Sequence, residues 1–233
     1  MSIIALPTPQ KLTYLTVEEA ILLRRSIREF KRDPIKLTHI SMILWAAYGI
    51  TDPARGFRAS PSAGATYPLE LYLAIGEQGV HVLEDKYLES GVYKYIPSVH
   101  GLSEARRGDV RRSLMRAALN QKWIEDAPVS IVITAIYERT TRHYGERGRI
   151  RYVPIDVGHV GQNIYLMSTA LGYGTVAIGA FRDSEVASIV GLKSDEVPIY
   201  IMPIGVPERV VTTSFNDLKL HIDRARQNLG IQF

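Results

Sequence analysis

A chain of 233 residues without cysteine has no disulfide framework, no thiolate-ligated metal or cluster and no thiol nucleophile. Apolar residues make up 46% and charged residues 22%, the balance of a folded domain with one sizeable core. A formal charge of +4 falls short of the dense positive charge of nucleic-acid binders, and no run approaches the roughly 18 apolar residues of a membrane helix.

Taken in order, residues 1–15 carry two prolines and little periodicity and read as an extended arm. They lack the basic and apolar regions of a signal peptide, so a soluble cytoplasmic protein is expected. Thr16 and Glu19 form a capping box. It opens a helix through Ala20, Ile21 and Leu23 that ends on Arg24-Arg25-Ser26-Ile27-Arg28, and Pro34 prevents its continuation. Thr38 is the expected cap of a second helix, with Ile40, Ile43, Leu44 and Ala47 on one face and Gly49 after it. A polar loop, 51–59, leads into Ser60-Pro61-Ser62-Ala63-Gly64-Ala65-Thr66-Tyr67-Pro68. Residues 69–75 read as a buried strand, 80–83 as its neighbour and 91–96 as a third, an antiparallel meander.

Residues 104–122 read as a helix with Val110, Leu114, Ala117 and Ala118 inward and Arg106, Arg107, Arg111, Arg112 and Arg116 outward. The stretch 129–136 is the most apolar and is expected at the sheet centre. A long helix, 156–171, carries the stripe Val157, Val160, Gly161, Ile164, Met167 and Leu171. Its Gly158 and Gly161 suit a tight helix contact, within the fold or across a dimer. A strand at 175–180, a short helix 184–190 capped by Asp183 and a last core strand 198–204 follow. The polar tail, 207–233, holds a helix near 217–228. Neither repeat nor linker divides this single α+β domain of residues 1–233.

The chemistry lies in two segments. Arg24, Arg25 and Arg28 with Ser26 offer planar forks of donors and a hydroxyl, which suit a phosphate. Basic residues at a helix end also oppose its dipole, and both readings stay open on the segment alone. The proline-bounded run of small residues from 61 to 65 can bring its backbone flush against a flat ligand, or serve as a tight turn into a strand. The sequence has no GxSxG elbow and no P-loop lysine, and its six histidines lack metal-ligand spacing. Asn163 and Gln162 are expected to satisfy buried backbone groups.

Together these segments resemble the nitroreductase family of FMN proteins. The Arg-Arg-Ser-x-Arg and Pro-Ser-Ala-Gly-Ala-x-Tyr-Pro motifs carry the likeness. It is completed by Arg-Tyr-x-x-x-Asp-x-Gly-His-x-x-Gln-Asn at 151–163 and by Ala177-Ile178-Gly179-Ala180-Phe181. The pattern is most similar to the SagB-type dehydrogenase branch. The resemblance implies a mostly antiparallel central sheet flanked by helices and an intertwined homodimer with two FMN sites at the subunit interface. It assigns Arg24, Arg25, Ser26 and Arg28 to the FMN phosphate, ribityl chain and N1/O2 edge, with Arg209 as a second phosphate ligand. Pro61, Ser62, Ala63, Gly64 and Ala65 would come from the other subunit, and Ile178, Gly179 and Ala180 would cover one flavin face. Azoline oxidases of this branch carry a Lys-Tyr pair before Gly-x-Arg. Here the stretch is His143-Tyr144-Gly145-Glu146-Arg147, which keeps Tyr144 and puts an imidazole, His143, where the lysine stands; these two are the catalytic candidates.

The implied activity is a ping-pong hydride transfer from NAD(P)H to a small acceptor such as a quinone or nitro compound. The alternatives are a SagB-type azoline or peptide dehydrogenase reoxidised by oxygen, a non-redox flavin-binding or flavin-processing protein, and a polyanion-binding module built on Arg106 to Arg116. The expected partners are a second copy, NAD(P)H and a small substrate, with no nucleic acid, membrane or metal.

Overall fold

The structure, a computed structural model, describes residues 3–231; Met1 and Ser2 of the expected arm and Gln232 and Phe233 of the tail lie outside the described residues. The arm begins with β1 (Ile3–Ala5) and runs extended to α1 (Val17–Leu23). The capping box is present in full: Thr16 Oγ1 accepts the Glu19 N–H and Glu19 returns to the Thr16 N–H. β2 (Ile35–Lys36) leads directly into α2 (Leu37–Tyr48), so Lys36, without a side-chain bond, holds the cap position and Thr38 lies inside the first turn. The hairpin β3 (Ile50–Asp52) and β4 (Phe57–Arg58) fills the polar loop, and a short 3-10 turn, Ala63–Ala65, precedes β5 (Leu69–Ile75).

The next strands are β6 (Val80–Leu83), β7 (Lys86–Tyr87), β8 (Gly91–Ile96) and β9 (Gly101–Arg107). After them come α3 (Arg111–Ala117), α4 (Trp123–Asp126) and β10 (Val129–Ala135), every residue of which is buried. Two helical pieces not foreseen from sequence, α5 (Glu138–Arg147) and a π-helical turn (Gly148–Tyr152), lead into the expected long helix, α6 (Val153–Ala170). β11 (Gly174–Thr175), α7 (Asp183–Val190), β12 (Val197–Gly205) and α8 (Phe215–Asn228) complete the chain.

One seven-stranded sheet, ordered β1-β9-β8-β5-β10-β12-β11, is antiparallel at every pairing. Alternation along β10 divides the core. Ile131 and Ile133 pack with Ile40 and Leu44 of α2 and with Val157 and Ile164 of α6. Val132 points the other way, toward Leu114 of α3, Ile124 of α4 and Val186 of α7. The expected α+β sheet flanked by helices is therefore what forms.

Several expectations are corrected. β6 does not adjoin β5, because both edges of β5 are taken by β8 and β10; β6 joins β2 and β7 in a separate small sheet. Residues 104–107 belong to β9, and the helix starts only after Gly108 (φ +89°). It stops at Ala117, with Leu119 and Asn120 both left-handed. The five arginines thus share no helix face. Arg106 donates to the Ser188 and Ile189 carbonyls, while Arg107 pairs with Glu104, Arg111 with Asp109 and Arg112 with Glu125, which weakens the polyanion reading. Of the expected strand 175–180 only Thr175 forms a ladder pair, together with Gly174 before it, besides a bridge from Ile178 to Ile201. Arg182 rather than Asp183 caps α7. Among the described residues no helix is long and apolar enough to cross a membrane.

Candidate functional site

Arg24 closes α1 with φ −57° and ψ 126°, so the helix stops there and the arginine segment leaves it extended. Ser26 bridges Thr175 in parallel, and the Ile27 N–H donates to the Thr175 carbonyl at 2.9 Å. Gly174 permits this approach, since a Cβ there would stand 2.7 Å from Ile27 Cβ. Arg25 Nη1 donates to the Leu22 and Arg24 carbonyls, each at 2.8 Å, so the helix-terminus role is real for this one residue. Its Nη2 donates to Thr213 Oγ1 at 3.3 Å. Arg25 and Arg209 nevertheless line one pocket of about 170 Å³ together with Gly172 and Gly174. Among the described residues Arg209 pairs with Glu29 alone, at 4.0 Å, both largely exposed, a pair that contributes little. Arg24 and Arg28 lie over aromatic rings, Tyr165 at 5.3 Å and Trp123 at 5.7 Å. Guanidinium groups held by rings and carbonyls, with no buried carboxylate among them, form a donor set suited to a phosphate.

Tyr165, on α6, joins this cluster to the third motif. Its Oη lies 3.0 Å from Ser26 Oγ and accepts the Ala177 N–H at 2.8 Å. Beyond it, Ile178 exchanges both backbone bonds with Ile201, and the Ala180 carbonyl accepts from Gln121 Nε2 at 3.0 Å. Gly179 and Ala180 are exposed, and their N–H groups meet no protein acceptor among the described residues. Sequence reasoning gave Tyr165 no role, because the apolar stripe of the helix skips it.

The small-residue loop is strained. Gly64, Ala65 and Tyr67 all have positive φ, at 59°, 52° and 44°. Such backbone persists only when its surroundings over-determine it. Ser62 Oγ donates to Asp156 Oδ2 at 2.6 Å and accepts the Tyr67 N–H at 3.0 Å. Asp156 also receives the Ala63 N–H, and burial pushes its carboxyl above the usual carboxylate range against these hydrogen bonds and the nearby His159. The Pro61 carbonyl accepts from His159 Nδ1 at 3.3 Å, and Thr66 Oγ1 lies 2.8 Å from Thr140 Oγ1. Asn163 donates to the Ala46 carbonyl and to Ser60 Oγ, the structural role expected of it, whereas Gln162 is exposed and does not share that role. Tyr144 covers the loop: a Cβ on Gly64 would stand 2.5 Å from its Oη. Its ring packs edge-on to Tyr152 at 4.9 Å and to His143 at 6.4 Å, with His143 exposed. The residue after Tyr144, Gly145, breaks the helix at φ 55°.

The predicted residues therefore fall into two groups. Arg24 and Ser26 meet Tyr165, which also holds the Ala177 N–H just before Ile178, Gly179 and Ala180, while Arg25 and Arg209 share a pocket and Arg28 stands over Trp123. In the loop 61–65, Ser62 and Ala63 bond to Asp156 and Gly64 meets Tyr144, whose ring has His143 beside it. Both anchors lie on α6, nine residues or about 14 Å apart along its axis.

The model of the nitroreductase family matches residues 21–206, a span that contains every one of these motifs except Arg209. The chain belongs to the nitroreductase family. Membership supports an oxidoreductase of the flavin type in general. A Methanocaldococcus jannaschii protein, MJ1384, provisionally named a nitroreductase, is 49% identical over 191 residues, 82% of this chain and 91% of its own length. The crystal structure of a protein from Ralstonia eutropha, likewise named provisionally, superposes with a TM-score of 0.76 at 26% identity over 89% of this chain and 90% of that one. The microcin B17-processing protein McbC of Escherichia coli is 24% identical over 177 residues, 75% of this chain and 63% of its own length.

Proposed function

We propose that this nitroreductase is an FMN-dependent oxidoreductase that works as a homodimer, with each flavin held between the two residue groups of different subunits. The observation that carries this reading is Tyr165 Oη, which ties Ser26 to Ala177 and so fixes the arginine cluster beside the open N–H groups of Gly179 and Ala180. When bound, FMN supplies hydride transfer at N5 between NAD(P)H and a small acceptor such as a quinone or nitro compound. Arg25 and Arg209 hold the phosphate, and Arg24, Ser26 and Arg28 hold the ribityl chain and the N1/O2 edge, where positive charge favours the reduced ring. The N–H of Gly179 or Ala180 donates toward N5. Residues 61–65 present a nearly side-chain-free surface from the second subunit. Tyr144 and His143 stand at the edge of that surface and hold or move a proton for the substrate.

The visible spectrum of the purified protein, followed by anaerobic titration with NADH and with NADPH, tests this reading. A bound flavin bleached by either donor supports it. A bound flavin that no donor reduces favours flavin storage or processing, and a protein that refuses FMN overturns it.

A second reading, a SagB-type azoline or peptide dehydrogenase reoxidised by oxygen, is favoured by the contact of Tyr144 with Gly64 and by the likeness to McbC. It expects oxygen consumption with a heterocycle-forming peptide partner, and loss of that activity in Tyr144→Phe.

A further inference from the structure

We propose that the cleft between β4, β5 and β8 is a binding site for a small organic carboxylate, anchored by Arg58. The cleft has a volume of about 500 Å³ and is lined by Arg58, Thr66, Glu70, Lys94, Ser98 and Arg139, among others. It is separate from the pocket of Arg25 and Arg209, and the inference does not rest on the flavin reading.

Charge in the cleft is unbalanced. Three cations face one carboxylate, and Glu70 is already committed: it pairs with Lys94 at 3.5 Å and with Arg139 at 2.5 Å. Lys94 is held further by Glu196 at 3.1 Å, and that carboxylate also accepts from Tyr72 Oη at 2.6 Å. Arg139 spends another donor on the Tyr67 carbonyl at 3.1 Å. Arg58 differs from both. Its guanidinium lies 4.3 Å from the Tyr48 ring centroid and 4.7 Å from that of Tyr67, and it meets no acceptor among the described residues.

The two rings stand at 80° to each other with centroids 6.0 Å apart, so the guanidinium sits in the corner they form, held on two sides and open on the others. The Arg58 backbone N–H donates to Tyr67 Oη at 3.1 Å, which ties the main chain of this residue to one of the two rings. The planar fork of donors that remains matches the two oxygens of a carboxylate. Thr66 and Ser98 add hydroxyl donors, and Tyr95, Ile96 and Pro97 give the cleft an apolar wall for the rest of the ligand.

Isothermal titration of the whole chain with phenylacetate, against inorganic phosphate as the control anion, tests the assignment. Saturable binding of phenylacetate is expected, weakened roughly tenfold or more in Arg58→Gln. Because Arg58 also packs on two rings, a second variant separates binding from folding. Ser98 is exposed, so Ser98→Glu is expected to weaken binding severalfold through like charge while leaving the melting temperature unchanged. Phenylacetate binding that is absent, or equal in the wild type and both variants, overturns the proposal. Phosphate binding as tightly as phenylacetate overturns the carboxylate assignment.

Discussion

Ser62 Oγ donates to Asp156 Oδ2 at 2.6 Å, so the loop expected to face the flavin is fastened to the first turns of α6 by one hydroxyl and one buried carboxylate. Removing the carboxylate in Asp156→Ala leaves the Ser62 hydroxyl and the Ala63 N–H without their acceptor, a loss of about 1–3 kcal/mol. Urea unfolding measures it. Because burial raises the Asp156 carboxyl, the native state binds a proton that the unfolded chain releases. Its contribution to stability is therefore full below the ordinary carboxylate value and is lost as pH rises through the raised one. Asp156→Asn keeps an acceptor and removes this dependence, so its pH profile of stability is expected to be flatter across that window.

Gly64 combines a left-handed backbone with the contact of Tyr144. Gly64→Val is expected to lose about 1–2 kcal/mol from the backbone alone, with more from the collision with Tyr144 Oη. The double variant Gly64→Val/Tyr144→Ala removes only the collision. Its loss is then smaller than the sum of the two single losses, as denaturant midpoints will report.

Tyr165→Phe deletes the hydroxyl that joins Ser26 to the Ala177 N–H. A stability loss of about 1 kcal/mol is expected, with a weaker FMN affinity and no change at the Asp156 end of α6. Thermal melts and a flavin titration check both parts.

Arg25 and Arg209 share a pocket, and the reading gives them the phosphate. Arg209→Ala should then weaken FMN roughly tenfold while leaving riboflavin, which lacks the phosphate, nearly unaffected. Equal losses for both ligands would place Arg209 elsewhere.

Much of this arrangement was legible because it is local. The Thr16–Glu19 box, the apolar run of β10 and the small residues at 61–65 each report short-range chemistry. What the sequence concealed is tertiary. Glu104–Arg107 read as helix because their charges matched the outer face of the turn that follows, although as a strand they pair with β8. Residues 80–83 read as the neighbour of 69–75 because nothing local shows that both edges of β5 are occupied. Asp156 and Tyr165 look like ordinary helix residues until a loop or an arginine segment arrives from elsewhere in the chain. Two left-handed residues that are not glycine, Ala65 and Tyr67, carry no sequence signal at all.

The claim that each flavin needs two chains is tested most directly by co-expressing two variants. One carries Arg25→Ala and Arg28→Ala, the other Gly64→Val, and each alone is expected to purify without flavin. In a mixed dimer one composite site is intact and the other doubly damaged, so co-expression should restore roughly a quarter of the wild-type flavin content. Flavin retained by either variant alone, or none restored in the isolated mixed dimer, would contradict the shared site.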